Sequence, residues 1–277
     1  LSFGTLTANN GLITLTSSGA ADINLSGAVQ ATNTGLAANQ PGISVVSGRD
    51  ILIHRVNLTT ATSGAIRLQA AEDLDLMVSN GCCNGTPPNT HTAAGNIEVI
   101  AGTGVITRSE PDNGVSLSGQ NVTLQAGSTT QSYSFGSVTA TAGNVTLVGD
   151  DMGLSSGMSA TGNVIVKPID PARSVRIDTA TTAGNLNLTP GELQTLTAGA
   201  GGTLEIGSSA GSGTLTVASG TTLTSTNVNA GTLKLANREI VLDGTINLSG
   251  QNESLALANS PGGRVLLNAN VNVGSGT

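Results

Sequence analysis

The stretch that decides the fold is residues 143–166, GNVTLVGDDMGLSSGMSATGNVIV. It contains two copies of one short unit, GNVTL at 143–147 and GNVIV at 162–166. In each copy a Gly-Asn pair precedes a short apolar run, and in the first copy one polar residue separates two aliphatic ones. Apolar residues at alternate positions are typical of a β-strand with one buried face. Each unit therefore predicts a short strand that enters from a tight corner.

The same unit recurs along the chain. Its copies share a Gly, then Asn or Thr, then two aliphatic residues that flank a polar one: GNIEV at 95–99, GNLNL at 184–188, GTLEI at 202–206, GTLTV at 213–217, GTLKL at 231–235 and GTINL at 244–248. The spacing of 19, 22 and 18 residues between Asn144, Asn163, Asn185 and Thr203 predicts coils of about 20 residues, with two or three strands each. Such short strands bury an apolar face only by stacking on near-copies of themselves. The sequence therefore predicts one all-β solenoid over residues 1–277.

Two kinds of segment depart from this rhythm. Residues 79–94, SNGCCNGTPPNTHTAA, are rich in turn formers, so we expect a loop insertion that protrudes from the solenoid. Residues 188–196, LTPGELQTL, predict a short helical turn, with Thr189 as its N-cap and Pro190 at the first helical position.

Composition narrows the classes of function. Charged residues make up 10% of the chain, against about 25% in an ordinary globular domain, and there are 38 Gly, no Trp, one Tyr and two Phe. The net charge is −7 and the ten basic residues are scattered, which argues against nucleic-acid binding. No apolar run reaches the roughly 18 residues of a membrane helix, so we expect no membrane insertion. Few lysines and many Thr, Ser and Asn favour a secreted or surface location, and we expect any export signal to lie outside this segment.

Residues 172–199, ARSVRIDTATTAGNLNLTPGELQTLTAG, and 201–220, GGTLEIGSSAGSGTLTVASG, carry a family resemblance. They resemble the repetitive shafts of filamentous-haemagglutinin-like exoproteins and related large bacterial adhesins. The resemblance implies a right-handed parallel β-helix, secretion across the outer membrane, and a role at the cell surface in adhesion or biofilm.

Two sets of residues are candidates for covalent modification. Cys82 and Cys83 could form a strained disulfide with each other, cross-link to a neighbouring molecule, or remain free thiols. His91 lies near them in the sequence, but a four-ligand zinc set is missing. Candidate glycan acceptors are the asparagines that begin Asn-x-Thr sequons, among them Asn57, Asn84, Asn121 and Asn144.

The ionisable residues are sparse. Glu72, Asp73 and Asp75 form one acidic cluster, and Asp150 with Asp151 another. Catalysis on polysaccharides would need convergent carboxylates, and a solvated acidic face or a calcium site are the alternatives. We expect both histidines, His54 and His91, to lie on the surface.

These observations predict a structural or adhesive stalk, or a filament subunit, of a bacterial surface protein. We expect it to be no enzyme, to hold no cofactor or metal, and to contact itself or adjoining solenoid segments end to end, with surface glycans as further partners. The alternatives are a polysaccharide-processing β-helix enzyme and a non-catalytic glycan-binding module.

Overall fold

The computed structural model describes residues 1–54, 56–76, 89–107, 114–127, 131–133, 135–250 and 253–273. The chain divides into two compact units, unit 1 with residues 1–128 and 132–143, and unit 2 with residues 129–131 and 144–277. The elements, in chain order, are β1 (Ser2–Phe3), β2 (Leu6–Asn9), β3 (Ile13–Thr16), β4 (Ile23–Leu25), β5 (Val29–Thr32), β6 (Pro41–Ser47), β7 (Ile51–Ile53), β8 (Leu58–Ala61), β9 (Ala65–Ala70), β10 (Leu74–Asp75), β11 (Asn89–Ala93), β12 (Ile97–Ala101), β13 (Ile106–Thr107), β14 (Val115–Gly119), β15 (Val122–Ala126), β16 (Gln131–Tyr133), β17 (Ser137–Ala140), β18 (Val145–Gly149), β19 (Met152–Leu154), β20 (Met158–Ala160), β21 (Val164–Lys167), β22 (Ser174–Ile177), β23 (Asn185–Leu188), α1 (Pro190–Leu193), β24 (Leu196–Thr197), β25 (Thr203–Gly207), β26 (Thr214–Val217), β27 (Thr222–Thr224), β28 (Thr232–Leu242), β29 (Thr245–Asn247), β30 (Ser254–Leu267) and β31 (Val271–Asn272).

Unit 1 is a parallel β-helix with three sheets. Each strand pairs with the strand three places further along the chain, so one coil contributes one strand to each sheet. The three strand orders are β1-β4-β7-β10-β13, β2-β5-β8-β11-β14-β17 and β3-β6-β9-β12-β15, and the pairings between these strands are parallel. The predicted all-β stacking of short strands is thereby confirmed.

The coils of unit 1 are longer than predicted. Successive partners in its third sheet are Ile13, Ile43, Ile66, Ile97 and Val122, so a coil holds roughly 27 residues on average. A coil of three strands needs three corners, and corners of different lengths change the period without disturbing the stack. The shorter predicted period was inferred from units that do not all stack on one another.

Unit 2 is also built of parallel strands, with a different order. The short predicted spacing holds between Val145 and Val164, but Val164 pairs next with Leu204. The intervening strands β22 and β23 pair with each other instead. The long strands β28 and β30 unite the two groups of strands. Residues 232–236 of β28 pair with β25, residues 239–242 pair with β26, and β30 follows β28 along both halves.

Aliphatic ladders form the interior of each unit. In unit 1 Ile43, Ile66, Ile97 and Val122 are stacked and almost fully buried, and in unit 2 Val145, Val164, Leu204 and Leu233 are stacked and fully buried. Burial of each such side chain stabilises the fold by about 1.5–3 kcal/mol. The alternation seen in the sequence is therefore the in–out pattern of the coil.

Two departures from the rhythm have different outcomes. The helical turn is confirmed, because α1 begins at Pro190 and Thr189 and Glu192 form a reciprocal capping box. The loop expected at 79–94 does not extend over residues 89–93, because Asn89–Ala93 form β11 within the second sheet of unit 1. Residues 79–88 lie outside the described residues. Among the described helices, none has the length and apolar character needed to cross a membrane.

Candidate functional site

The predicted modification sites fall in different environments. Cys82, Cys83 and Asn84 lie outside the described residues, so their roles stay predictions. Asn57 is exposed, and its Oδ1 accepts a hydrogen bond from the Thr90 backbone at 3.0 Å. An exposed asparagine is compatible with the predicted role of Asn57 as a glycan acceptor, which stays a prediction.

Asn121 and Asn144 take part in corner ladders. The Asn121 Nδ2 donates to Asn96 Oδ1 at 2.9 Å, and Asn144 Oδ1 accepts from the Asn163 N–H at 2.8 Å. Asn163 Oδ1 in turn accepts from the Thr203 N–H at 2.9 Å. These side chains satisfy backbone and side-chain groups at the corner that precedes each strand. A glycan on Asn121 would take one of the two hydrogens of Nδ2 and leave the other for the bond to Asn96.

The acidic residues cap backbone groups. Asp73 Oδ1 accepts from the Val105 N–H at 2.8 Å, and Asp50 Oδ1 accepts from the Asp73 N–H at 3.0 Å. Asp150 Oδ1 receives the backbone N–H groups of Ile169 and Asp170 at 2.9 and 3.0 Å. Carboxylates at coil corners thus do the same structural work as the asparagines.

Ion pairs hold several other charged groups. Arg49 donates through two nitrogens to Asp22, and this hydrogen bonding lowers the pKa of the Asp22 carboxyl. In unit 2 the pairs are Arg176–Asp178, Lys234–Glu205 and Arg264–Glu239. The last pair lines a surface cavity of about 310 Å³ together with Arg238. Across the described ranges, no three His, Cys, Asp or Glu side chains are grouped so that they could hold a metal ion.

The expectation of a surface position is wrong for His91. His91 is 1% exposed and takes an inward position on β11 in register with Leu117 of β14. The same ladder holds aliphatic residues in the other coils: Leu6, Val29, Leu58, Leu117 and Val138. His54 is half-exposed, with Nε2 3.3 Å from Asn24 Oδ1.

The His91 ring is held as a neutral hydrogen-bond acceptor. Its Nδ1 accepts from the Leu58 N–H at 3.2 Å, which places the ring proton on Nε2. Within the described residues Nε2 has no hydrogen bond of normal geometry. Burial lowers the pKa of His91 to about 4, and the Leu76 backbone opposes this shift in part. His91 is thus a titratable group buried within a ladder of aliphatic residues.

The main cavity of interest is in unit 2. It has a volume of about 410 Å³ and is lined by residues 197–201, residues 228–231 and Glu253. We call it the Glu253 cavity. Glu253 is 3% exposed, and its Oε2 has no hydrogen-bond partner in the described part of the chain. Burial raises the pKa of the Glu253 carboxyl, while a hydrogen bond from the Ser225 side chain opposes the rise.

Glu253 occupies a corner that glycines hold in earlier coils. Ser254 pairs with Thr232, and Thr232 with Thr203, so Glu253 is in register with Gly231 and Gly202. A Cβ at Gly202 would lie 2.4 Å from the Gly162 carbonyl, and a Cβ at Gly231 would lie 2.8 Å from the Gly201 Cα. The sequence analysis did not identify Glu253, and the signal that could have found it is a charged residue at a corner position that is glycine in the preceding coils.

A search of protein-family models, of curated proteins and of solved structures finds no match for this chain. The fold defines the class: the chain is a parallel β-helix protein. The resemblance to filamentous-haemagglutinin-like exoproteins has no support from these comparisons and stays a prediction.

Proposed function

We propose that the chain is a structural and adhesive β-solenoid segment of an extracellular bacterial surface protein, a stalk or filament subunit without catalytic activity. The observation that carries this proposal is the use of polar side chains at the corners. Asn96, Asn121, Asn163, Asp73 and Asp150 are all engaged in hydrogen bonds that fasten one coil to the next or close a turn. A catalyst would direct such polar groups at a substrate, whereas here they are directed at backbone and side-chain groups of the corners.

The long strand β30 supports the proposed self-association. Among the described strands β30 pairs with β28 along one edge. Its last residue, Leu267, is 59% exposed. A strand with an open edge and apolar neighbours is a template for another strand. We therefore propose that a further coil, either from adjoining solenoid or from a second copy, covers this edge. Repeated contacts of this heterologous kind generate fibres.

Electron microscopy of the purified chain over a range of concentrations tests the structural part. We expect rod-like particles that lengthen as concentration rises, and Leu267→Lys should shorten them by placing a charge on the edge. Ile169→Lys is the matched control, because Ile169 is a partly exposed apolar residue in a turn of the same unit. Discrete globular particles at every concentration, unchanged by L267K, would contradict the proposal.

Two further measurements test location and adhesion. Immunogold labelling of intact cells of the source organism should place the chain on the outer surface, and labelling only after lysis would refute an extracellular role. A glycan array separates an adhesive segment from a passive spacer, since a spacer binds no glycan. Turnover of any polysaccharide on such a panel would favour the enzymatic alternative.

A further inference from the structure

The Glu253 cavity contains a carboxylate whose charge is not balanced by the residues around it. Glu253 is almost fully buried, and its Oε2 makes no hydrogen bond to any described residue. The described residues that line the cavity include no Lys or Arg. Burial removes the hydration of an ionised carboxylate, so such a group is stable only when it is paired or protonated. A proton or a cationic ligand would supply the missing positive charge.

The cavity walls suit a hydrogen-bond donor. Ala198, Gly199, Ala200, Gly201, Ala230 and Gly231 form much of the lining. Because their side chains are a hydrogen or a methyl group, the main chain of these two segments forms the surface. A primary ammonium group has three N–H donors and no acceptor. It can therefore engage the carboxylate and main-chain carbonyl oxygens at the same time.

The size of the cavity separates an organic cation from a metal ion. Its volume of about 410 Å³ falls in the range of about 300–1,000 Å³ that is usual for small-molecule sites. A bare metal ion would leave most of this volume unfilled. Calcium also takes six to eight oxygen ligands, often from several carboxylates, and among the described lining residues Glu253 alone carries a carboxylate.

We propose that the Glu253 cavity binds a small polar organic cation through a primary ammonium group, with the Glu253 carboxylate as its counter-ion. The rest of the ligand lies against the main chain of residues 198–201 and 228–231, which line the cavity. Because burial raises the pKa of the Glu253 carboxyl, the arrival of the ammonium group favours the ionised carboxylate. A proton that Glu253 carries before binding leaves to the solvent, and no covalent bond forms or breaks.

Isothermal titration calorimetry of the whole chain at pH 6.5 tests this proposal with glucosamine as the probe. Glucose is the neutral control, because it carries a hydroxyl group where glucosamine carries the ammonium group. We expect glucosamine to bind with a dissociation constant on the order of millimolar and glucose to bind about ten-fold more weakly or not at all. Equal binding of both sugars, or no heat from glucosamine, would overturn the proposal.

Variants of the carboxylate give the sharper comparison. Glu253→Gln keeps the shape and removes the charge, so glucosamine affinity should fall by about ten-fold or more. Glu205→Gln removes the same charge from a carboxylate of unit 2 that pairs with Lys234 and does not line the cavity, and affinity should stay within about two-fold. Undiminished binding by E253Q would refute the role of this carboxylate.

A second variant keeps the test decisive if E253Q folds poorly. Ala230→Leu places a larger side chain in the cavity wall and leaves Glu253 in place, so it should also abolish glucosamine binding. Calcium chloride serves as the last competitor. Calcium binding that requires Glu253 and displaces glucosamine would replace the organic-cation site with a metal site.

Discussion

The buried histidine of unit 1 makes stability depend on pH in a way that can be measured. The usual histidine pKa is 6.5, and burial lowers that of His91 to about 4. Because the folded value is the lower one, the unfolded chain binds a proton between these values that the folded chain excludes. The stability contributed by this difference is complete above pH 6.5 and is lost as the pH falls toward 4.

The size of the effect follows from the shift. One pKa unit corresponds to about 1.4 kcal/mol, so a fall from pH 7.5 to pH 4.5 should cost about 2 to 3 kcal/mol through His91 alone. The neighbouring ladder residues Leu58 and Leu117 are aliphatic and offer the imidazolium no counter-charge. This apolar environment of the His91 ring is the physical cause of the loss of stability at low pH.

Urea unfolding followed by tyrosine fluorescence is the assay. Tyr133 is the one tyrosine of a chain that has no tryptophan, and it is fully buried in unit 1. His91→Gln keeps an acceptor for the Leu58 N–H but does not titrate. The difference in stability between wild type and this variant therefore removes the pH effects of all other groups. The stability of the wild type relative to H91Q should fall by about 2 to 3 kcal/mol between pH 7.5 and pH 4.5.

The control for loss of a histidine is His54→Gln, because His54 is only half-buried. This variant should keep the steep pH dependence of the wild type. A change in relative stability below about 1 kcal/mol for the H91Q comparison would refute the reasoning. It would mean that the folded protein hydrates or pairs the imidazolium.

Two predictions concern the corners of unit 2 and are checked by urea unfolding followed by circular dichroism. Gly202→Ala should destabilise the unit by about 1–3 kcal/mol, because its Cβ would lie 2.4 Å from the Gly162 carbonyl. The control is Gly157→Ala, because no atom lies within 4 Å of a Cβ there, and it should be neutral or stabilising by up to about 1 kcal/mol. Equal effects of the two would exclude close coil packing as the reason for the glycine. Asn163→Ala should cost about 1 kcal/mol by removing the acceptor of the Thr203 N–H, and Asn163→Asp, which keeps an oxygen there, should cost clearly less. An alanine variant as stable as wild type would show that water replaces the ladder.

Local sequence patterns predicted the strands well because the physics behind them is local. The alternation in GNVTL reports the two faces of one strand, GNVIV is a short apolar run after the same Gly-Asn pair, and β18 and β21 lie where those units stand. The capping box of Thr189 and Glu192 depends on residues three positions apart, so it too was visible. Coil length was not, because it depends on which strands pair. GNLNL at 184–188 has the same alternation as its neighbours, yet β23 pairs with β22 instead of continuing the stack from β21.

The candidate site was hidden for the same reason. Gly162, Gly202, Gly231 and Glu253 form one corner column, but the intervals between them along the chain are unequal, so no fixed period aligns them. Read alone, Glu253 is one polar residue in a polar turn. Only the register of β28 and β30 places it in a column where the preceding coils have no room for a side chain. The same register shows a buried carboxylate in a cavity lining that has no Lys or Arg among its described residues. The surface position predicted for His91 was wrong for the same reason. The sequence does not show which residues flank a histidine in the neighbouring coils, and only the strand register shows that Leu58 and Leu117 flank this one.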